Sequence, residues 1–352
     1  MTHAPIRVLL VDNSPFSSAA LKKLLSGSSE VEVVGTAKNG REALSLIPIV
    51  NPAVVCTKVD MPVMDGLELT KAIVSDRPLP ILVVVEPLPD DHPEKVSRML
   101  AAGAIDVFVR PRDGAGGGTQ RNADELIDKI KVLAGVVPFK RRGSTHGDIP
   151  ELRKDRTLRR EIQIAAIGAS VGGPHALNIV LRSLPSSCPV PIVCVQHIGA
   201  GFLQDLMDWL GVDSKLKIKK AETGERPVAG TVYFPQEDAH LIVDQNGRFA
   251  TSIESSVNGH RPSITVTFKS IASYFRSAAA GVLLTGMGED GADGLKEIAL
   301  AGGLTIAQDE ATSVVFGMAR HAIELGAARH VLPVSQIART LMAEITALQE
   351  SR

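Results

Sequence analysis

Short apolar runs alternate with helical patterns over the first third of the chain. Five of these runs have the length of buried strands, and they lie at 6–11, 31–36, 53–57, 80–85 and 104–109. Between them, apolar residues recur at the spacing of one helix face. Strands that alternate with helices need crossover connections, which predict a parallel sheet with helices on both faces. We therefore expect residues 1–134 to form one doubly wound α/β domain.

The same alternation returns over 161–348, with apolar runs at 162–167, 190–195, 281–285 and 303–307. The segment 230–253 holds further apolar runs on either side of Asn246-Gly247, a dipeptide typical of tight hairpins. We interpret this segment as an antiparallel excursion from a second doubly wound α/β domain. Residues 135–160 are polar and basic, with scattered glycine, serine and proline, and they are predicted to form a linker.

Composition adds limits on partners and location. In a chain of 352 residues, 44% hydrophobic and 22% charged residues suit two soluble domains with cores of their own. The net charge of −1 gives no bulk electrostatic reason to bind nucleic acid. No apolar stretch has the length of a signal-peptide core or a membrane span, so we expect a cytoplasmic protein without membrane insertion. The three cysteines, Cys56, Cys188 and Cys194, lack metal-type spacing and are expected to be free thiols, those in apolar runs buried.

The segment 168–174, Gly-Ala-Ser-Val-Gly-Gly-Pro, follows a predicted strand and carries the sharpest chemical signal. Flanking glycines allow Ser170 to occupy a tight turn between strand and helix with its hydroxyl presented for attack. The helix N-terminus that follows could stabilise an oxyanion. A glycine-rich turn of this kind can also bind a phosphate or simply turn the chain, so the motif alone leaves both interpretations open.

A nucleophilic serine needs a base, and the base needs an orienting carboxylate. His197 comes after the predicted strand 190–195 and Gln196. Ser170 also follows a predicted strand, and the carboxyl ends of parallel strands meet at one edge of the sheet, so both side chains are expected there. His240 and His260 are rivals that do not follow a strand of the parallel core. Asp290 lies after the run 281–285 and is the candidate carboxylate, with Glu289 as its competitor.

Two other interpretations of this region compete with a Ser-His-Asp set. Gly286, Gly288 and Gly291 match the dinucleotide-binding pattern G-x-G-x-x-G, although too little chain follows for the rest of such a domain. In α/β-hydrolases the order is Ser, acid, His, and here His321 or His330 could supply the late histidine.

The first domain resembles a response-regulator receiver, which has a flavodoxin-like fold. The resemblance rests on the segments 8–12, 60–66 and 102–106 and on Arg110-Pro111. The second domain is similar to the catalytic domain of the chemotaxis-specific protein-glutamate methylesterases. The matching segments are 168–174, Gln196-His197, 258–263 and 285–291. The order of the two domains also matches, so the resemblance covers nearly the whole chain.

The resemblance implies hydrolysis of glutamyl methyl esters and deamidation of glutamines on bacterial chemoreceptors. It implies Ser170 as nucleophile, His197 as base, Asp290 as the residue that orients it, and the Met287 amide in the oxyanion hole. Arg261 is a candidate for the substrate groove. The expected partners are the cytoplasmic domain of a methylated receptor and a chemotaxis histidine kinase or other chemosensory protein at the receiver face. No cofactor and no metal are expected.

The receiver departs from its family at the phosphorylation site. A receiver uses an acid pair for Mg²⁺, a phosphoacceptor aspartate, a hydroxyl and a lysine. Here one acid remains, Asp12, and the other positions read Lys58 (phosphoacceptor), Val85 (hydroxyl) and Arg110 (lysine). We expect Lys58 to pair with Asp12 and stand in for the metal's charge, which makes a pseudo-receiver. A non-catalytic chemosensory scaffold and another α/β serine hydrolase remain the alternatives.

Overall fold

The structure, a computed structural model, describes residues 4–85, 93–110, 119–135, 161–199 and 201–347. Its first sheet has five parallel strands in the order β2-β1-β3-β4-β5. The strands are β1 (Ile6–Val11), β2 (Val31–Ala37), β3 (Val54–Thr57), β4 (Ile81–Val85) and β5 (Asp106–Val109). The helices between and after them are α1 (Pro15–Leu25), α2 (Gly40–Val50), α3 (Gly66–Asp76), α4 (Pro93–Ala102) and α5 (Thr119–Ala134). The predicted doubly wound domain is confirmed.

The second sheet has seven parallel strands in the order β14-β13-β12-β6-β7-β9-β8. Its strands are β6 (Ile164–Ala169), β7 (Ile192–Gln196), β8 (Lys217–Lys220), β9 (Thr231–Phe234), β12 (Ala279–Leu283), β13 (Leu304–Gln308) and β14 (His330–Leu332). The helices are α6 (Gly173–Arg182), α7 (Leu203–Asp213), α8 (Ile264–Phe275), α9 (Ala292–Leu300), α10 (Met318–Glu324) and α11 (Val334–Thr346). The predicted parallel α/β class is confirmed here as well.

The antiparallel hairpin consists of β10 (His240–Val243) and β11 (Phe249–Ser252), with Gly247 in the left-handed region at the turn. The excursion is smaller than predicted, because β9 joins the parallel sheet between β7 and β8 instead of the hairpin. β8 is an edge strand of sequence Lys-Ile-Lys-Lys, and such a polar strand leaves no apolar run in the sequence.

Two central strands lie two residues away from their predicted positions. β6 extends to Ala169 through Gly168, and β12 begins at Ala279. The residues at these ends are Gly168, Ala169, Ala279 and Ala280, and all of them are buried in the sheet. Because glycine and alanine are only weakly hydrophobic, the apolar pattern of the sequence did not include them. Most of the predicted linker, 136–160, lies outside the described residues.

The three cysteines are free and buried. Burial raises the pKa of the Cys56 thiol to about 12 and also raises those of Cys188 and Cys194, so all three act as apolar side chains at neutral pH. In the described ranges, no helix is long and apolar enough to cross a membrane.

The receiver-like domain packs against the second domain through α4 and the end of β5. α4 lies against α6 and α7, and their buried apolar residues belong to one continuous cluster. Val109, the last residue of β5, is so close to Gly199 that a Cβ at Gly199 would lie 2.6 Å from its Cγ2. The first domain therefore contacts the loop that begins at His197.

Candidate active site

Ser170 lies where the chain turns from β6 into α6. It follows the last residue of β6 directly, and Gly172, the N-cap of α6, has φ +74, a conformation that glycine adopts without strain. The Ser170 amide donates to the Thr285 carbonyl at 3.0 Å, which ties the turn to the neighbouring loop. Ser170 therefore lies at a strand-to-helix turn, as predicted, although it is only 7% exposed.

His197 follows β7, the strand that pairs with β6. Its amide donates to the Ala169 carbonyl at 3.0 Å, so His197 and Ser170 emerge at the same sheet edge. Its Nε2 lies 2.9 Å from Asp290 Oδ2, while the buried Nδ1 has no hydrogen-bond partner in the part of the chain that the structure describes. No hydrogen bond joins Ser170 to His197, and such bonds commonly tighten when substrate binds. Nδ1 is thus the ring nitrogen of His197 that is available to accept a proton.

Asp290 is surrounded by hydrogen-bond donors at the N-terminus of α8. Its carboxylate accepts from Ser263 Oγ (2.8 Å), from the Ile264 amide (2.8 Å) and from the Thr265 amide (3.1 Å), as well as facing His197. Burial raises the pKa of Asp290, but the hydrogen bond and charge of His197, with those from Thr265 and Ile264, outweigh it. The pKa is held well below its ordinary value, so this buried carboxylate stays ionised at neutral pH.

The loop between β12 and α9 brings Asp290 to the site. Asp290 lies seven residues after the strand end at Leu283, so it is not at the strand end itself as predicted, but at the start of α9. Gly286 of this loop lies against Ser170, since a Cβ at Gly286 would be 2.7 Å from the serine Cβ. The next residue is Met287, 38% exposed, so the amide expected in an oxyanion hole belongs to the loop segment beside the serine.

Gln196 connects the two strand ends and was not predicted to have a role of its own. Its Nε2 donates to the carbonyls of Ser170 and His197, both at 2.8 Å. Gly173 leaves room for this amide, because a Cβ there would overlap with Gln196 Oε1. A buried polar residue in a strand just before a histidine is the signal in the sequence that could have indicated this contact.

The rival residues lie elsewhere or have other contacts. His240 is buried and accepts from the Ser263 amide at 3.1 Å, so it helps to hold Ser263, one of the donors to Asp290. His321 Nε2 lies 3.2 Å from the competitor Glu289, whose side chain is exposed, while His321 is half-buried. His330 is on β14, 3.9 Å from Glu344. Neither late histidine pairs with Asp290, whereas His260 stacks on His197 with ring centroids 3.7 Å apart.

Arg261 lies beside the site, at the rim of a cleft. The cleft is lined by Gln196, Ile198, Leu203, Pro235, Gln236, Glu237, Asp238, Arg261 and Pro262. Arg261 Nη1 donates to the Ile253 and Glu254 carbonyls at 3.1 and 3.3 Å. The guanidinium therefore fixes its own loop as well as bordering the cleft.

In the first domain, Lys58 follows β3 and its Nζ lies 3.8 Å from Asp12 Oδ1. The Asp12 side chain is 2% exposed, and the Arg110 guanidinium lies over the Phe16 ring with 6.0 Å to the centroid. A single carboxylate faced by an ammonium does not fit Mg²⁺, which needs several oxygen ligands. Among the described residues, no group of three or more acidic, histidine or cysteine side chains is arranged for a metal.

A parallel α/β domain with a serine and a histidine at its strand ends, and with a buried aspartate that contacts the histidine, has the arrangement of a serine hydrolase. Residues 165–341 match the family model of the CheB methylesterase, and residues 8–115 match that of the response regulator receiver domain. The chain belongs to the family of receiver-linked protein-glutamate methylesterases.

Relatives resemble the chain over nearly its whole length. A protein-glutamate methylesterase/protein-glutamine glutaminase of Geobacter metallireducens is 36% identical over 96% of this chain and 98% of its own. One from Pseudomonas aeruginosa is 38% identical over 97% of both chains. The crystal structure of the Thermotoga maritima CheB methylesterase catalytic domain is 39% identical, with a TM-score of 0.50, over 52% of this chain and 98% of its own.

We expect the ionisation of Asp290 to cause no pH dependence of hydrolytic activity near neutrality, because its lowered pKa keeps the carboxylate ionised. Asp205 does titrate near neutrality, since burial, then Asp208 and Glu237, raise its pKa to about 6. Asp205 has no contact with Ser170, His197 or Asp290 among the hydrogen bonds and ion pairs of the described residues, so the pH–rate profiles of wild type and of Asp205→Asn should agree.

The Asp205→Asn and His321→Ala variants are expected to keep the wild-type pH–rate profile. A profile that changes in either variant would mean that Asp205 or His321 takes part in turnover.

Proposed function

We propose that the protein hydrolyses glutamyl methyl esters on the cytoplasmic domain of bacterial chemoreceptors and deamidates receptor glutamines. Ser170 is the nucleophile, His197 the base and Asp290 the carboxylate that orients the base. The observation that carries the proposal is the 2.9 Å contact between His197 Nε2 and the ionised Asp290, which leaves the buried Nδ1 without a hydrogen bond among the described residues and able to take a proton. The names of the relatives support the substrate class.

The first half of the reaction forms an acyl-enzyme. Ser170 Oγ attacks the ester carbonyl carbon while His197 Nδ1 takes the hydroxyl proton, and the Met287 amide stabilises the oxyanion. Asp290 remains ionised and stabilises the imidazolium. Collapse breaks the bond to methoxide, which receives the proton from His197 and leaves as methanol.

The second half returns the enzyme. Water gives a proton to His197 and attacks the acyl carbon. Collapse breaks the bond to Ser170 Oγ, which takes the proton back from His197, and the glutamic acid product loses its own proton to solvent. A glutamine side chain follows the same course with ammonia as leaving group, so one site supports both activities. The cleft bordered by Arg261 lies next to this site and is our proposal for the groove that takes the receptor segment.

Fluorophosphonate labelling tests whether the chain is an enzyme or an idle scaffold that only binds partners. An activated serine is expected to react, and peptide mapping should place the adduct on Ser170. Mass spectrometry of a receptor fragment should then show loss of methyl esters and conversion of glutamine to glutamate. A folded protein that neither reacts with the probe nor changes the fragment supports the scaffold.

We also propose the division of the chain into a pseudo-receiver (1–134), a linker (135–160) and a methylesterase domain (161–348), acting in the cytoplasm. The separate five- and seven-stranded sheets support this division. The contact of β5 with the loop after His197 supports a regulatory role of the first domain, with a histidine kinase or other chemosensory protein as candidate partner at its face.

Phosphorylation control is proposed to be lost. Lys58 occupies the acceptor position and faces Asp12 as a cation, in the place where Mg²⁺ would be needed. Val85, at the end of β4, offers no hydroxyl, and Arg110 stands at the lysine position beside Phe16. Asn13 stands in place of the second metal-binding acid. These four replacements at one site support loss of the reaction more strongly than any single one does.

Acetyl phosphate with Mg²⁺ is therefore expected neither to modify the protein nor to change its esterase activity. Intact-mass spectrometry and a parallel rate measurement check this. The Lys58→Asp variant should also remain unmodified, because Asn13, Val85 and Arg110 still lack the groups for metal binding and signal read-out. A labile phosphate on Asp12, or on Asp60 two residues after Lys58, together with a rise in activity, would contradict the proposal.

A further inference from the structure

The imidazole of His260 covers one face of the His197 ring. The ring centroids are 3.7 Å apart and the planes differ by 8°, so the two imidazoles are stacked in parallel. The His197 side chain is 8% exposed. His260 is thus one wall of the small enclosure that holds this ring.

The hydrogen bonding of the His197 ring fixes its direction but not its plane. Nε2 has one hydrogen bond, to Asp290 at 2.9 Å, and Nδ1 has none among the described residues. A ring held by a single edge contact can tilt about that contact. A parallel ring against its face removes this freedom, because a tilt in either direction drives one edge into the neighbour.

The segment that carries His260 is itself firmly held. Val257 and His260 exchange two backbone hydrogen bonds, of 3.1 and 2.9 Å, around a turn in which Asn258 and Gly259 both have positive φ. Three residues later the same segment supplies Ser263, whose Oγ donates to Asp290. One short stretch of chain therefore supports both partners of the Asp290–His197 pair.

We propose that His260 is a positioning residue that fixes the plane of the His197 ring, so that Nδ1 stays directed at Ser170 during proton transfer. This inference rests on the proposed function only in taking His197 as the base. The role requires a flat aromatic ring at position 260 and makes no use of the ring nitrogens of His260. It therefore acts on turnover and leaves receptor affinity unchanged.

Two substitutions in the full-length protein separate the ring from its nitrogens. His260→Phe keeps a flat ring and removes the nitrogens, whereas His260→Gln keeps polar atoms and removes the ring. We expect His260→Gln to lower kcat for methanol release about 10- to 100-fold with KM nearly unchanged, since a misplacement of about 1 Å can cost about 100-fold in rate. His260→Phe should stay within about threefold of wild type, and His321→Ala is the control.

A second readout does not depend on the receptor. The rate at which a fluorophosphonate labels Ser170 reports activation of the serine, and it should fall in His260→Gln and not in His260→Phe. Equal loss in both variants, or a rise of KM alone, overturns the proposal, since the nitrogens or substrate contact would then be responsible. Thermal unfolding midpoints show whether either variant is misfolded. If one of the two is misfolded, the labelling rate and kcat of the other variant test the proposal. If wild type releases no methanol, the proposed substrate fails, while the ratio of labelling rates still tests His260.

Discussion

Replacement of Ser170 by alanine is expected to abolish methanol release from methylated receptors. In serine hydrolases with a triad, loss of the nucleophile lowers kcat by on the order of 10⁶-fold, and removing further triad members adds little. Ser170→Ala/His197→Ala should therefore be no less active than Ser170→Ala alone. The measurement is radiolabelled methanol released per unit time, with circular dichroism of each variant as the test of folding.

Ser187→Ala is the matched control, because Ser187 is an exposed serine in the loop before β7. It should retain wild-type turnover. Substantial turnover by a folded Ser170→Ala protein would mean that another group is the nucleophile.

Replacement of Asp290 by asparagine is expected to lower kcat by on the order of 10⁴-fold, as loss of the orienting carboxylate does in other triads. Here the effect has two physical causes. The imidazolium loses its counter-charge, and the amide NH₂ of asparagine must face at least one of the donors from Ser263, Ile264 and Thr265. Kinetics and thermal unfolding measured together separate lost catalysis from lost stability.

The neighbouring Glu289→Gln is the control for this variant, since it changes the charge by the same amount one residue away. Glu289 is exposed and faces His321, so turnover should remain close to wild type. If Glu289→Gln or His321→Ala is the inactive variant and Asp290→Asn is active, the chain uses the alternative hydrolase order instead.

The parallel sheets could be predicted because their central strands are apolar on both faces. β1, β3, β4 and β7 lie within a residue or two of the predicted runs, and all their residues but two in β1 are buried. The edge strands could not be found in the same way. β8 is made largely of lysine and β14 is three residues long, so neither leaves a run of apolar positions.

The positions of Ser170 and His197 at the sheet edge followed from the rule that the carboxyl ends of parallel strands meet there. The hydrogen-bond donors around Asp290 could not be predicted from this rule, because they lie on α8 and its N-cap Ser263, far from Asp290 in the sequence. The stack of His260 on His197 depends on how a turn folds back onto another strand end. Local patterns contain no information on such contacts between distant segments.

In the receiver-like domain, the sequence predicted which atoms would meet, because its family fixes where each strand ends. Lys58 faces Asp12 as expected, while Arg110 lies over Phe16, a contact that no motif indicated. The consequence for signalling stays a prediction until phosphorylation is measured.

Release of methanol from a chemoreceptor fragment carrying radiolabelled methyl esters tests the central proposal most directly. Wild-type full-length protein and a parallel sample of residues 161–352 would be compared with the same two proteins carrying Ser170→Ala. We predict labelled methanol from wild-type protein and none from the alanine variants. Equal release with and without Ser170 would contradict the nucleophile, and no release by folded wild-type protein in either form would contradict the proposed reaction.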